Sequence, residues 1–330
     1  MRTITIGEID EGQRLDRFLK KYLRSAPLSL IYRMIRKDVR VNGKREGVSR
    51  VLEAGDEVSI RAAEELIEEF MSAGRDPTSL RQFGIAWEDE LILAVEKPYG
   101  LLTHGDGKEK KNTLANQVVA YLIGKGDYLP ASNPTFTPSP VGRLDRNTSG
   151  LVLFGKTPKA IRDLNTMYRH HGDVDKYYLT IVRGRMKEGL SLRGRMLKDQ
   201  DRNLVHPLPE EDGEGRLMIT EARPVANGDK FTLVEVKLVT GRSHQIRVHL
   251  AEAGYPIIGD NKYGNRAVNA EMNRRFGLTT QFLHAWRLEV NRGTESLEYM
   301  TGMVIESNLP DRLKVIREAL IHGPMPEGGN

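Results

Sequence analysis

Residues 141–154 read VGRLDRNTSGLVLF, and one acidic side chain among them, Asp145, stands between two arginines just ahead of a polar turn and an apolar run. Leu151–Phe154 has the character of a buried strand, and Asn147–Gly150 is turn-forming. An aspartate so placed has two readings. Asp commonly hydrogen-bonds its own backbone neighbours, so a turn or capping residue is the ordinary one; the other is a carboxylate that performs chemistry. The rest of the chain decides between them.

At 330 residues the chain is long enough for one large domain or two unequal ones. It contains no cysteine. Disulfides, thiolate zinc sites, iron–sulfur clusters and thiol nucleophiles are therefore excluded together, and any catalysis must use oxygen or nitrogen groups. No apolar stretch approaches the roughly 18 residues of a spanning helix, and the start, MRTITIGEIDEGQRLDRF, lacks the apolar core of a signal peptide. A soluble cytoplasmic protein is expected, with no membrane partner.

Charge is unevenly spread. The net charge is +5, yet residues 14–50 hold 12 Lys/Arg against 3 acids. A charge run is usually a solvated face, but on a compact unit it reads as a phosphate-binding surface. Such a unit is legible. Leu15, Phe18, Leu19, Tyr22 and Leu23 fall on one helical stripe, with basic residues on the rest of the surface. A second short helix follows, with Ser29 as expected N-cap, Ile31, Met34 and Ile35 inward, and Arg33, Arg36 and Lys37 outward. Asn42-Gly43 predicts a hairpin turn, and LEAGDEVSI another turn and a strand ending at Ile60. Beyond it, residues 63–84 turn acidic and then Gly-, Pro- and Ser-containing, which reads as a linker.

From residue 85 the pattern changes to strands (LILAVEKP, LVLF, KYYLTIVRG, FTLVEVKLV) interrupted by helical stretches (LANQVVAYLI, PKAIRDLNTMY). This predicts an α+β domain on a mixed or antiparallel sheet. GKEKKN and residues 124–140 read as surface loop.

Two resemblances organise these segments. RLDRFL, SLIYRMIRKDVRVNGKR and LEAGDEVSI resemble the αL RNA-binding motif of the ribosomal-protein S-four type. GRLDRNTSGLVLF closely resembles the active-site motif of the RluA-type pseudouridine synthases, and LAVEKPYGLLTH, KYYLTIVRG, GRSHQIRVHLAEAGYPIIGDNKYG and FLHAWRL resemble further motifs of that family in the right order. The layout is that of the RluC-like branch. The resemblance implies a pseudouridine synthase catalytic domain over residues 85–330, preceded by an αL RNA-binding domain over 1–62 and a linker over 63–84. It also implies a substrate of structured RNA, with large-subunit ribosomal RNA favoured over transfer RNA, no DNA, no cofactor and no metal. A monomer is expected. A non-catalytic ribosome-assembly factor on the same fold is the rival reading.

Carried over residue by residue, the resemblance makes Asp145 the catalytic carboxylate, as nucleophile or as stabiliser of a glycal or oxocarbenium-like species. Arg247 is its cationic partner, needed because burial alone favours the protonated acid. Tyr178 stacks on the extruded uracil and assists proton removal. Ile246 floors the base pocket, Lys176 opens the Tyr178 strand, and Arg143 enters the RNA stack vacated by the base. Arg33, Arg36, Lys37, Arg40, Lys44 and Arg45 are the RNA-gripping residues of the small unit. Strand alternation turns Tyr177 away from Tyr178. Gly142 stands where many family members carry His. His170-His171 with Asp173 and Asp175 resembles a metal site only superficially, and His244 and His249, about 140° apart on a helix, make no chelating pair.

Overall fold

The 3.6-residue stripe becomes α1 (Leu15–Tyr22), whose Leu15, Phe18, Leu19 and Tyr22 are buried. β1 (Arg2–Thr5) precedes it. α2 (Leu28–Lys37) buries Ile31, Met34 and Ile35 as predicted, but starts one residue before Ser29, behind Pro27. Proline's fixed φ suits a helix entry, so Pro27 takes the position assigned to a hydroxyl. β2 (Val39–Val41) and β3 (Glu57–Ile60) pair antiparallel, and β1 joins the other edge of β3. Asn42 and Gly43 both take positive φ, 51° and 77°, as the hairpin signal requires. The turn is pinned by the Asn42 amide, which donates to buried Asp56 at 2.7 Å. The segment expected to be linker carries α3 (Glu64–Ser72), whose Ile67 is fully buried in the core of these helices while its glutamates lie outward.

The structure is a computed structural model; it describes all residues except Glu8, 73–79, 131–133, 200–203, 209–212, 214 and 323–330. Two compact units result, residues 1–81, 115–139 and 156–161 forming the first and the remainder the second. The first thus takes in most of α4 (Leu114–Lys125) and the loop after it. Arg24 ties that loop, donating to the carbonyls of Pro134 at 2.7 Å and Phe136 at 3.0 Å.

The second unit is built on an 11-stranded sheet. Its strands are β4 (Gly84–Glu88), β5 (Ile92–Lys97), β6 (Ser139–Val141), β7 (Ser149–Gly155), β8 (Val174–Arg183), β9 (Leu190–Asp199), β10 (Leu204–Leu208), β11 (Arg216–Asn227), β12 (Phe231–Leu238), β13 (Leu283–Val290) and β14 (Val304–Glu306). The order is β10-β9-β11-β12-β8-β13-β7-β5-β4, with β14 beside β13 and β6 beside β7. Every neighbouring pair on that path is antiparallel except β13 with β7, so the sheet is mixed, in an α+β fold. α5 (Pro158–Arg169), α6 (Gln245–Glu252), α7 (Arg266–Phe276) and α8 (Asp311–Leu320) complete the elements, with a 3-10 turn over Glu295–Met300. β7 is buried at every position. It is an interior strand, flanked by β13 and β5, which is why Leu151–Phe154 reads as a continuous apolar run. Among the described residues no helix is long and apolar enough to cross a membrane.

Candidate active site

Asp145 occupies the turn that feeds β7, where the Thr148 N–H donates to its carbonyl at 3.0 Å. The turn is braced on both sides. The buried Thr103 hydroxyl donates to the carbonyl of Leu144 at 2.9 Å and accepts from its N–H at 3.2 Å. Lys97, at the end of β5 and 1% exposed, donates to the carbonyls of Pro98 (3.1 Å), Leu101 (2.7 Å) and Arg146 (3.0 Å). The residues immediately before and after Asp145 are therefore fixed, while its own carboxylate remains 27% exposed. Burial pulls the Lys97 ammonium down to about 7, and the Asp145 charge opposes that pull.

Arg247 lies in the first turn of α6 with its Nη1 3.6 Å from Oδ2 of Asp145. That is an ion pair beyond hydrogen-bond length. The tighter partner of the guanidinium is Asp260, which accepts from Nε at 2.6 Å and Nη2 at 2.8 Å. A bidentate pair of this kind fixes the plane of the guanidinium. Burial works against the Asp260 carboxylate, but Arg247 and the N–H groups of Lys262 and Tyr263 outweigh it and hold its pKa below the usual range. Asp260 lies in the GDNKYG stretch, and its only sequence signal is an acid 13 residues beyond an arginine that must be buried. RSHQIRVH reads as a helix start with Ser243 near the N-cap, but the structure puts His244 in the cap position, in the left-handed region at φ 56°.

Tyr178 sits on β8 between Val236 of β12 and Ala285 of β13, only 8% exposed. Burial first, then the Asp145 charge, push its pKa upward, so the hydroxyl keeps its proton at neutral pH. Tyr177 faces the other way, under the Arg287 guanidinium at 4.3 Å. The Lys176 ammonium lies 5.1 Å from the Tyr168 ring centre, and Gly142, at φ 76°, passes beside the same ring. A side chain at position 142 would meet Tyr168 at ordinary contact distance but would hold a backbone conformation that favours glycine.

Arg143, Asp145, Lys176, Tyr178, Ile246 and Arg247 all line one cleft of about 490 Å³. That volume lies in the range of small-molecule sites. The arrangement offers a half-buried carboxylate, a fixed cation beside it, a phenol and an apolar surface from Ile246. The basic residues of the small unit form a separate set in the first contact unit: Arg33, Arg36, Lys37, Lys44 and Arg45 are exposed, whereas Arg40 is half-buried and donates to the carbonyls of Lys37 and Val39. Three further arginines counted in the basic run are engaged internally, Arg14 with Asp16, Arg50 with Asp56 and Arg24 with the 134–136 loop. His170 is exposed and pairs with Asp173 at 3.4 Å, and no metal-binding group of three or more occurs among the described residues.

Comparison with known proteins identifies the family. A family model described as RNA pseudouridylate synthase matches residues 91–252. The ribosomal large subunit pseudouridine synthase C of Escherichia coli strain K12 is 35% identical over 325 residues, covering 95% of each chain. The protein of the same name from Vibrio vulnificus is 34% identical over 293 residues, covering 86% of this chain and 87% of that one. Among solved structures, human RNA pseudouridylate synthase domain containing 4 superposes with a TM-score of 0.58 at 20% identity, over 73% of this chain and 95% of that one, a likeness of fold.

Proposed function

Because the chain belongs to the RNA pseudouridylate synthase family, we propose that it isomerises uridine to pseudouridine at sites in large-subunit ribosomal RNA, with Asp145 as the reacting carboxylate. The relatives' printed names support the ribosomal substrate. The observation that carries the site is the Asp145–Arg247 ion pair at 3.6 Å in a cleft shared with Tyr178 and Ile246.

The reaction breaks the bond from ribose C1′ to N1 of uracil, turns the base and joins C1′ to C5. The proton lost from C5 is balanced by one gained at N1, so neither oxidant nor co-substrate enters. The residues at hand match these needs. A uridine cannot react inside a helix, so it must be swung into the cleft, and in this reading Arg143, which lines the cleft, fills the gap it leaves. Arg247 sets a fixed positive charge 3.6 Å from the Asp145 carboxylate, an attraction that strengthens when the site closes and water leaves. Tyr178 and Ile246 hold the base while it turns, and the Tyr178 hydroxyl, still protonated, passes protons only by hydrogen-bonded exchange. The carboxylate either adds to the substrate covalently or stabilises the cleaved sugar; both routes need Asp145 ionised.

The first contact unit supplies affinity in this reading. Its exposed Arg33, Arg36, Lys37, Lys44 and Arg45 match an αL-type surface for RNA phosphates. The test of the catalytic assignment is Asp145→Asn. Tritium release from 5-tritiated uridine in ribosomal RNA should fall by roughly 10⁴-fold, with RNA affinity nearly unchanged. Turnover persisting near the wild-type rate would remove Asp145 from the chemistry. Mapping pseudouridines in ribosomal and transfer RNA from cells lacking the protein assigns the substrate.

A further inference from the structure

His244 enters the cleft from the turn before α6, its side chain 8% exposed and its backbone in a region unfavourable for any residue with a Cβ. Its Nδ1 lies 3.0 Å from the Tyr263 hydroxyl and its Nε2 lies 3.8 Å from Oδ2 of Asp145. The two rings meet edge to face, 5.7 Å between centres. Burial, helped by the charges of Arg247 and Lys262 and opposed by Asp145 and Asp260, lowers the imidazole pKa to about 4. The ring is thus neutral near pH 7 and carries a single N–H.

Its neighbours decide where that proton sits. With the proton on Nδ1, the lone pair of Nε2 would face a carboxylate oxygen. With the proton on Nε2, the Tyr263 hydroxyl donates to Nδ1 and the N–H points at Asp145, so both ends are attractive. We propose that His244 is a positioning residue for Asp145, held by Tyr263 in the Nε2–H tautomer, and that it closes onto Oδ2 when a nucleotide fills the cleft. The remaining gap is a contraction of under about 1 Å, within what catalytic hydrogen bonds undergo on substrate binding. Arg247 approaches the same oxygen at 3.6 Å. Both groups therefore face Oδ2, which leaves Oδ1 as the oxygen presented to the substrate.

The inference rests on Asp145 being the reacting carboxylate, and its test separates the two. In the full-length enzyme labelled with ¹⁵N-histidine, the ring shifts of His244 should report protonated Nε2 and unprotonated Nδ1, a readout independent of turnover. Tyr263→Phe removes one hydroxyl; it should lower kcat about tenfold, as loss of a single hydrogen bond implies, with KM within about twofold. His244→Gln, whose amide nitrogen can replace Nε2, should retain most of kcat, whereas His244→Asn, too short to reach Asp145, should lose on the order of 100-fold in kcat. An Nδ1–H tautomer, an unchanged kcat in Tyr263→Phe, or equal kcat in the Gln and Asn variants would each overturn it. If the His244 variants fail to fold, the ring shifts and Tyr263→Phe still decide. Absence of turnover in the unmodified enzyme would instead count against the catalytic reading.

Discussion

At the scale of single residues, the site depends on a cation that is itself held in place. Arg247 is 6% exposed, and its two tight contacts go to Asp260, also buried. Removing one member of a buried ion pair leaves the other charge without compensation, which typically costs about 3–5 kcal/mol. Asp260→Ala should therefore lower the unfolding free energy by roughly that amount in denaturant titration and depress kcat more than KM, since the guanidinium loses its orientation towards Asp145. Asp260→Asn, which keeps the shape and one acceptor, should fall between the two. Asp145 and Arg247 were legible because motif residues of the right types stood in the right order. Asp260, Thr103 and Lys97 were not, because a residue that acts by bonding a backbone carbonyl or a buried guanidinium looks, in a linear sequence, like any polar residue near a turn.

At the scale of elements, the turn that carries Asp145 is aligned by the parallel junction between β7 and β13, His284 opposite Ser149 and Ala285 opposite Gly150. Gly150 takes φ 110°, and a Cβ there would lie 2.0 Å from the Ala285 carbonyl oxygen. No side chain can yield to relieve that overlap, because the obstacle is backbone. Gly150→Ala should cost roughly 3 kcal/mol in thermal or denaturant unfolding and, by pushing β13 from β7, reduce turnover even under conditions where the protein stays folded. The glycine of Thr-Ser-Gly is thus a packing requirement as well as a turn residue. Elements with strong periodicity, α1, α2, β5, β7, β8 and β12, were readable from their apolar patterns. The strands β9 and β11 were missed: LSLRGRMLKD and RLMITEARPVAN place charges among the apolar residues because one sheet face is only partly covered. α3 was read as linker because its acidic surface outweighs its single fully buried Ile67.

At the scale of the whole molecule, two electrostatic responses follow. His244, His249 and His284 are all buried, and burial lowers each pKa to about 4. Unfolded, each would bind its proton near the ordinary histidine value of about 6.5, so between roughly pH 4 and 6.5 the unfolded chain holds more protons than the folded one. Stability contributed by these neutral rings is present above about pH 6.5 and is lost as pH falls towards 4. The melting temperature should decline through that window, and His284→Gln should flatten the decline if it folds. The second response concerns RNA. Replacing Arg33, Arg36 and Lys37 together by Gln should weaken binding across sequences and reduce the magnitude of the logarithmic salt slope by about 1 for each phosphate contact removed. Substitution is a cleaner test than truncation, since residues 1–81 form one compact unit with residues 115–139 and deleting them would uncover α4 and its loop.

What the sequence determined by itself was chemistry by type and order: no thiol, a carboxylate between arginines before a buried strand, a Gln-Ile-Arg helix start, and a basic amphipathic unit in front. These are properties of composition, local period and turn preference, which act over a few residues and so survive in one dimension. Only the tertiary structure decided which charges meet. That Arg247 gives its tight bonds to Asp260 and its third nitrogen to Asp145, that Lys97 and Thr103 clamp the residues on either side of the aspartate, and that His244 stands between Tyr263 and Oδ2 are consequences of strand order and of one left-handed turn. Buried polar groups must find partners wherever the fold brings them, and the fold brings them from segments 41 residues apart for Thr103 and Leu144, 49 for Lys97 and Arg146 and 102 for Asp145 and Arg247, separations over which no local pattern carries information.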